Sequence, residues 1–355
     1  MIIPTTYGVA LLLTILTMLC WGSWANTFKL AGKWRFELFY YDYSIGVLLA
    51  ALVAAFTFGS LGPEISFWDN LTLFAAKRNI AFGFVAGAVF NLANMLLVAA
   101  ISVAGLAVAF PVGIGLALVI GVVWSYALNP QGNTTLLFGG AAVIVVAIIV
   151  DAIAYRSHST AQTAAAKLDE PPAPAKKSHG KRSRGGEGGS MKGIILSLIS
   201  GVLMGSFYPL VEMGKAGEFG LGPYSIAVVF ATGVFISTFV FNLFFMNLPV
   251  QGDPVEVLEY LRGTGRQHLL GIAGGVIWCV GTTANFVAAS APESVNVGPA
   301  VSYAIGQGAT MVSALWGLLV WKEFAGASSK VNALLALMLL LFIAGLGLVS
   351  IAPLY

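Results

Sequence analysis

Residues 83–103, GFVAGAVFNLANMLLVAAISV, have a counterpart in residues 274–295, GGVIWCVGTTANFVAASAPESV, in the other half of the chain. In each stretch an asparagine, Asn94 or Asn285, follows the first glycine by 11 residues and opens a run that ends Val-Ala-Ala. A Ser-Val pair comes next and lies 22 residues before a tryptophan in both halves. A two-fold internal repeat in so apolar a chain is typical of membrane transporters, whose substrate site lies where the halves meet.

The composition places the chain in lipid. Of its 355 residues, 58% are hydrophobic and only 9% are charged, and the mean hydropathy is +0.88. A soluble globular protein of this size needs more polar surface. A helix crosses the hydrocarbon core with about 20 apolar residues. Ten windows of that length are present, at 7–28, 40–61, 79–101, 104–127, 134–155, 191–212, 224–247, 268–290, 295–320 and 331–354.

Ten spans give five per repeat, and an odd number makes the second repeat begin on the opposite face of the membrane. We therefore predict an all-α polytopic membrane protein in which ten transmembrane helices form two inverted five-helix repeats. The predicted divisions are a first repeat at 1–155, a linker at 156–190 and a second repeat at 191–355.

The basic residues predict the orientation, because positively charged loops stay in the cytoplasm. With the N-terminus outside, the loops 29–39, 156–192, 248–267 and 321–330 are cytoplasmic and hold 15 of the 18 lysines and arginines. We expect a multi-pass protein of the plasma or inner membrane with both termini outside the cell. The net charge of +3 reflects this bias and does not indicate binding to nucleic acid.

The linker at 156–190 is rich in Ala, Pro, Lys, Gly and Ser, so we predict that it is disordered and lies near the anionic inner leaflet. Its Gly180-Lys181-Arg182-Ser183 lacks the first glycine of a phosphate-binding loop, and no strand precedes it. The sequence therefore predicts no ATP site there.

The residues of redox, metal and enzyme chemistry are sparse. The two cysteines, Cys20 and Cys279, lie inside predicted spans, and the three histidines, His158, His179 and His268, fall in predicted loops. This pattern indicates neither a disulfide framework nor a metal site. No nucleophile stands beside a base, so we expect no catalytic residues, no cofactor and no enzymatic activity.

Several motifs resemble the ureide permeases over nearly the whole chain. They include Trp21-Gly22-Ser23-Trp24, Tyr41-Asp42-Tyr43-Ser44-Ile45, the stretch Gly83 to Asn94, Glu293-Ser294-Val295-Asn296, and Val312-Ser313-Ala314-Leu315-Trp316-Gly317 leading to Glu323. The resemblance implies the drug/metabolite transporter fold, near bacterial glucose/ribose and rhamnose uptake proteins, and import of small polar solutes, often with protons. The nucleotide-binding-like loop of plant members is absent here.

A substrate site at mid-membrane requires polar groups that face a cavity, because such groups are costly in lipid. Carboxamides offer both a donor and an acceptor, and tryptophans offer a flat face, so this set suits an uncharged, planar or polyhydroxyl solute. The same residues also bond neighbouring helices together. The candidates are Trp24, Asn26, Asn91, Asn94, Trp278, Thr282, Asn285, Tyr303 and Gln307.

Proton coupling needs a carboxyl that can bind and release a proton. Asp42 and Glu212 are the candidates, with Asp42 preferred because three tyrosines surround it; a helix cap is the alternative role for Asp42. The residues leave open whether transport is coupled or passive. We predict import of a ureide or nucleobase-like solute by alternating access, with a sugar as the alternative and export of drugs or metabolites as the third choice.

Overall fold

The computed structural model of the protein describes residues 1–104, 106–169, 185–249, 253–292, 294–295 and 297–355. Across these ranges the chain is helical, and nine of its helices are long and apolar enough to span a membrane. A further apolar segment, Val112–Leu128, is shorter. Numbered in chain order, these nine helices and the helix that contains the shorter segment are α1 (Tyr7–Ala31), α2 (Phe36–Phe56), α3 (Lys77–Ala104), α4 (Leu106–Leu128), α5 (Thr134–Asp169), α6 (Gly185–Lys215), α7 (Pro223–Asn247), α8 (Gly265–Ala288), α9 (Pro299–Val320) and α10 (Ser329–Ile351).

This arrangement confirms the prediction of an all-α polytopic membrane protein. The ten predicted windows correspond to α1–α10, with shifts at several ends. Helix α2 begins at Phe36 instead of 40, because Glu37 is accommodated in its first turn by an ion pair with Arg35 at 2.7 Å. Hydropathy does not register such a paired charge.

The predicted disorder of the linker is wrong at both of its ends, where α5 continues to Asp169 and α6 begins at Gly185. The alanine-rich residues 161–166 favour helix, which explains the first extension; the glycine-rich start of α6 has no comparable explanation. Residues 170–184, with the Gly180–Ser183 motif and His179, lie outside the described residues. The face of the bundle where α5 ends and α6 begins is called the linker side below, and the other face the opposite side.

The two halves of the chain use the same close contacts. Gly22 of α1 lies against α9, where an added Cβ would come within 2.5 Å of Val312 and 2.6 Å of the Ala309 carbonyl. Gly205 of α6 lies against α4 in the same way, 2.7 Å from Ile120 and 2.9 Å from the Ala117 carbonyl. The glycines allow the backbones to approach closely, as small residues do in membrane helices. Repeat-related helices therefore pack through repeat-related residues.

The other contacts are reciprocal as well. Helix α3 packs on α6 and α7, and its counterpart α8 packs on α1 and α2, while α2 contacts α7 and α5 contacts α10. Helices α5 and α10 meet at Gly140 and Gly345. A Cβ added to either glycine would come within 3 Å of the carbonyl oxygen of the other. This reciprocity supports the proposal that 1–155 and 191–355 are the two repeats.

Two spanning helices are each divided into two segments. Helix α1 is divided at Trp24 into the segments Tyr7–Ser23 and Ala25–Ala31. Helix α9 breaks at Gln307-Gly308, between Pro299–Gly306 and Ala309–Leu315. The backbone at these positions keeps right-handed helical dihedrals, so each interruption is a local change in the hydrogen-bond pattern of the helix. Both breaks lie on the cavity described next.

Candidate functional site

A cavity of about 380 Å³ lies between α1, α3, α4, α6, α8 and α9 and the first residue of α2. It extends from the middle of the bundle to Phe28 and Phe36, which lie near the linker-side ends of α1 and α2. Its side chains fall into an aromatic wall and a small polar group. The aromatic wall consists of Trp21, Trp24, Phe28, Phe36, Phe90, Phe207 and Trp278. The polar group consists of Asn94, Gln307, Thr310 and Ser313.

Trp278 is the fixed centre of the aromatic wall. Its ring stacks on Phe90 at a centroid distance of 4.4 Å and lies nearly parallel to Trp21 at 6.2 Å. Only 4% of Trp278 is exposed, so packing on both helices determines its orientation. Trp24 contacts Tyr43 of α2 at 4.9 Å. The wall therefore presents flat apolar surfaces whose orientation is set before any solute enters.

Asn94 and Gln307 bring two carboxamides to the cavity from α3 and α9. The Asn94 Nδ2 donates to the hydroxyl of the buried Tyr40 at 3.2 Å, and among the described residues its side chain has no other hydrogen-bond partner. The Gln307 amide has no side-chain hydrogen bond within the described residues, although the residue is only 7% exposed. Each amide thus retains free donor and acceptor capacity beside the cavity.

The cavity is sealed toward the opposite side by packed rings. Tyr208 lies 5.0 Å from Tyr303 and 6.2 Å from Phe286, and Phe207 contacts Tyr303 at 6.1 Å. Tyr208, Phe286 and Tyr303 are fully buried. Packed, buried rings therefore lie on the opposite side of the cavity in this structure.

Four of the nine residues predicted to bind substrate line this cavity: Trp24, Asn94, Trp278 and Gln307. Asn285, the repeat counterpart of Asn94, does not line this cavity. Asn285 has no exposed surface, and its Nδ2 donates to the Ser302 carbonyl at 3.1 Å. The cause is the inversion: Asn94 lies in the linker-side half of α3, whereas Asn285 lies in the half of α8 that runs to the opposite side.

The remaining four predicted residues lie outside the cavity lining and bond to other parts of the protein. Asn91 donates to the Val234 carbonyl, Ser237 and Thr238 of α7 at 2.8–3.2 Å. The other three make these contacts: the Asn26 oxygen accepts from Trp321 at 2.6 Å, Thr282 accepts from Trp21 at 3.0 Å, and the Tyr303 hydroxyl donates to the Ala117 carbonyl at 3.3 Å. In this structure all four connect helices.

Asp42 occupies a polar cluster on the linker side instead of a helix cap. The residue is 2% exposed, in the second turn of α2, and its carboxylate accepts from the Tyr260 hydroxyl at 2.6 Å and lies 2.8 Å from His268 Nδ1. His268 is in the first turn of α8, so its prediction as a loop residue is wrong. Burial, together with the bond to Asp42, raises the pKa of Tyr260 above its usual range.

The other proposed proton site and the remaining described histidine also have partners. Glu212 is paired with Lys215 at 2.9 Å, and both side chains are 10% exposed. His158, predicted in a loop, is a buried residue of α5, and its Nε2 lies 2.9 Å from the Glu323 carbonyl oxygen. Glu323 also forms an ion pair with Lys29 at the end of α1.

The sequence model of the ureide permease family matches the chain over residues 39–192 and 179–352, nearly its full length. The chain belongs to the ureide permease family. Ureide permeases 1 and 2 of Arabidopsis thaliana are 24% and 25% identical to it, over 95% of both chains in each case. Ureide permease 5 of the same plant is 26% identical over 96% of this chain and 93% of the relative. Membership makes this protein a membrane transporter and not an enzyme.

A protein of known crystal structure has the same fold as this ureide permease. The TM-score is 0.57 at 16% identity, and the match covers 96% of this chain and 95% of the other. At that identity the likeness concerns the arrangement of helices alone.

Sequence reasoning missed most of the aromatic wall of this ureide permease. Phe28, Phe90 and Phe207 are aromatic residues in apolar helices, and nothing in their pattern separates a cavity wall from packing. For the polar cluster of Asp42, Tyr260 and His268, the sequence does contain a signal that places His268 in a helix. Thr264 and Gln267 form a capping box that starts α8 at Gly265, and a Thr-x-x-Gln spacing is readable from the sequence.

Proposed function

We propose that this permease imports a small, neutral, planar solute of the ureide or nucleobase type by alternating access. The observation that carries the proposal is the make-up of the cavity, in which aromatic faces and two carboxamides meet and no Asp, Glu, Lys or Arg is among the described lining residues. Rings with amide edges fit such a site, because the faces stack and the edges bond to amides. The names of its relatives support the ureide class.

The absence of lining charges favours a neutral solute over an ion. A charged group that leaves water for a low-dielectric site needs a partner of opposite charge. A sugar fits less well, because its many hydroxyls would share the few polar side chains Asn94, Gln307, Thr310 and Ser313. An unsatisfied buried hydroxyl costs about 1–3 kcal/mol.

Alternating access is supported by the asymmetry of the cavity in a chain with two similar halves. The cavity extends toward the linker side, and the rings of Tyr208, Phe286 and Tyr303 close the opposite side. If each repeat adopted the packing that the other repeat has here, the closed side would open and the open side would close. We propose that the linker side is cytoplasmic, on the charge bias, so that this conformation faces inward in the plasma or inner membrane.

We further propose that a proton drives uptake and that Asp42 binds it. Asp42 contacts Tyr260 and His268 and packs against Gly271 of α8; among the described residues no Lys, Arg or second carboxylate pairs with it. The His268 side chain is 26% exposed, which gives protons a route from the linker side. Glu212 is the weaker choice, because it is already ion-paired with Lys215 at 2.9 Å.

Uptake by proteoliposomes tests the proposal. We expect saturable transport of allantoin or uracil, competition by the other neutral ring, and little competition by rhamnose or by orotate, the 6-carboxylate of uracil. Uracil and orotate share a ring and differ in charge, which makes them a matched pair. Transport of orotate in preference to uracil, or of rhamnose in preference to both, would contradict the proposed solute class.

A further inference from the structure

We propose that Thr282 is a positioning residue that fixes the ring plane of Trp21, and that this plane makes the permease select planar rings. The proposal rests on the proposed function and deepens it, because it concerns the same cavity. Trp21 is part of the aromatic wall, whereas Thr282 is behind it, 2% exposed and outside the lining.

The Trp21 ring is held at one edge by Thr282. Its Nε1–H donates to the Thr282 Oγ1 at 3.0 Å, across the contact between α1 and α8. The Thr282 hydroxyl donates in turn to the Trp278 carbonyl of its own helix at 3.1 Å. Because its proton points to that carbonyl, the oxygen is committed to accepting from Trp21. The indole N–H of Trp21 is therefore already hydrogen-bonded within the protein and is not free to bond to a solute.

The other edge of the same ring rests on α9. A Cβ added to Gly306 would come within 2.8 Å of Trp21 Cζ3 and 3.2 Å of its Cε3, which lie across the ring from Nε1. A side chain carried by α1 is thus held between α8 and α9. Both of its edges are fixed, and what remains for a solute is the ring face.

The held ring lies parallel to the central ring of the wall. Trp21 and Trp278 differ by 10° in plane at a centroid distance of 6.2 Å, and Trp278 in turn lies 26° from Phe90. Aromatic contacts depend on geometry, so a tilted ring loses them. A planar solute gains from parallel faces, whereas a puckered solute with the same polar edges does not. Thr282 therefore acts on selectivity through Trp21, without touching the solute.

Uracil and 5,6-dihydrouracil are the probes, because they have the same amide edges and differ in planarity. We expect Thr282→Val, which keeps the shape and removes the hydroxyl, to reduce the ratio of uracil affinity to dihydrouracil affinity about fivefold, equal to about 1 kcal/mol of aromatic contact. Thr282→Ser restores the acceptor and should restore the ratio. Thr283→Val is the matched control, because Thr283 is the next residue in the chain and lies outside the cavity lining; it should leave the affinity ratio unchanged.

Gly306→Ala provides a second test that leaves Thr282 intact, because the new methyl group would displace the opposite edge of Trp21. It should lower the same ratio. Binding is measured with purified protein in nanodiscs, with the melting temperature followed in parallel. A ratio unchanged in both Thr282→Val and Gly306→Ala, with uracil binding intact, overturns the positioning role alone. A wild-type protein that binds neither probe overturns the proposed function and this inference together.

Discussion

Asn94 and Asn91 offer a direct separation of solute binding from helix packing, because both are asparagines three residues apart on α3. Asn94 lines the cavity with one protein hydrogen bond, to Tyr40, whereas Asn91 makes three hydrogen bonds to α7 and lies outside the lining. We expect Asn94→Ala to weaken solute binding by about 1–3 kcal/mol, the cost of one unmade buried hydrogen bond. That loss corresponds to about a 5- to 150-fold rise in Kd.

Asn91→Ala should leave Kd within about twofold and lower the melting temperature instead, since interhelical hydrogen bonds in membranes contribute about 0.6 kcal/mol each on average. Asn285→Ala, the repeat-related change, should behave like Asn91→Ala. The assay is equilibrium binding of labelled uracil or allantoin to the purified variants in nanodiscs, with thermal unfolding measured on the same samples. Equal Kd values for Asn94→Ala and Asn91→Ala would refute the assignment of Asn94 to the solute.

Further predictions concern coupling, orientation and the seal. Asp42→Asn should abolish solute accumulation driven by a pH gradient while exchange of solute persists, and Glu212→Gln should retain accumulation. Accumulation by the Asp42→Asn protein would exclude Asp42 as the proton-binding carboxyl. Impermeant maleimide on intact cells should label a cysteine placed at the exposed Glu64 and not one at Asp253, and the reverse pattern would invert the topology. Tyr208→Ala should open a leak toward the opposite side, read as faster efflux from loaded proteoliposomes, because it removes a ring from the seal; unchanged efflux would place the barrier elsewhere.

The membrane fold was predictable because span length and internal repetition are properties of the sequence itself. The packing of Gly22 on Ala309 and of Gly205 on Ala117 was not, since it depends on which helices meet. The ends of the helices were also harder to predict. At the start of α2 the charge of Glu37 is paired with Arg35, which a hydropathy window does not register.

The candidate site was predictable in part. A polar residue in a membrane helix must point away from lipid, which correctly selected buried residues such as Asn94 and Asn285. The pattern does not distinguish a cavity from a neighbouring helix. Asn91 satisfies the same rule by bonding to α7. Asn285 satisfies the same rule by bonding to the Ser302 carbonyl, in the half of the bundle that is closed in this structure.

A structure of the permease determined with allantoin or uracil bound tests the central claim most directly. We predict solute density in the cavity, with its ring against Trp21, Trp24 or Trp278 and its amide edge within hydrogen-bond distance of Asn94 or Gln307. Density for the solute at any other place in the bundle, with this cavity empty, would contradict the account.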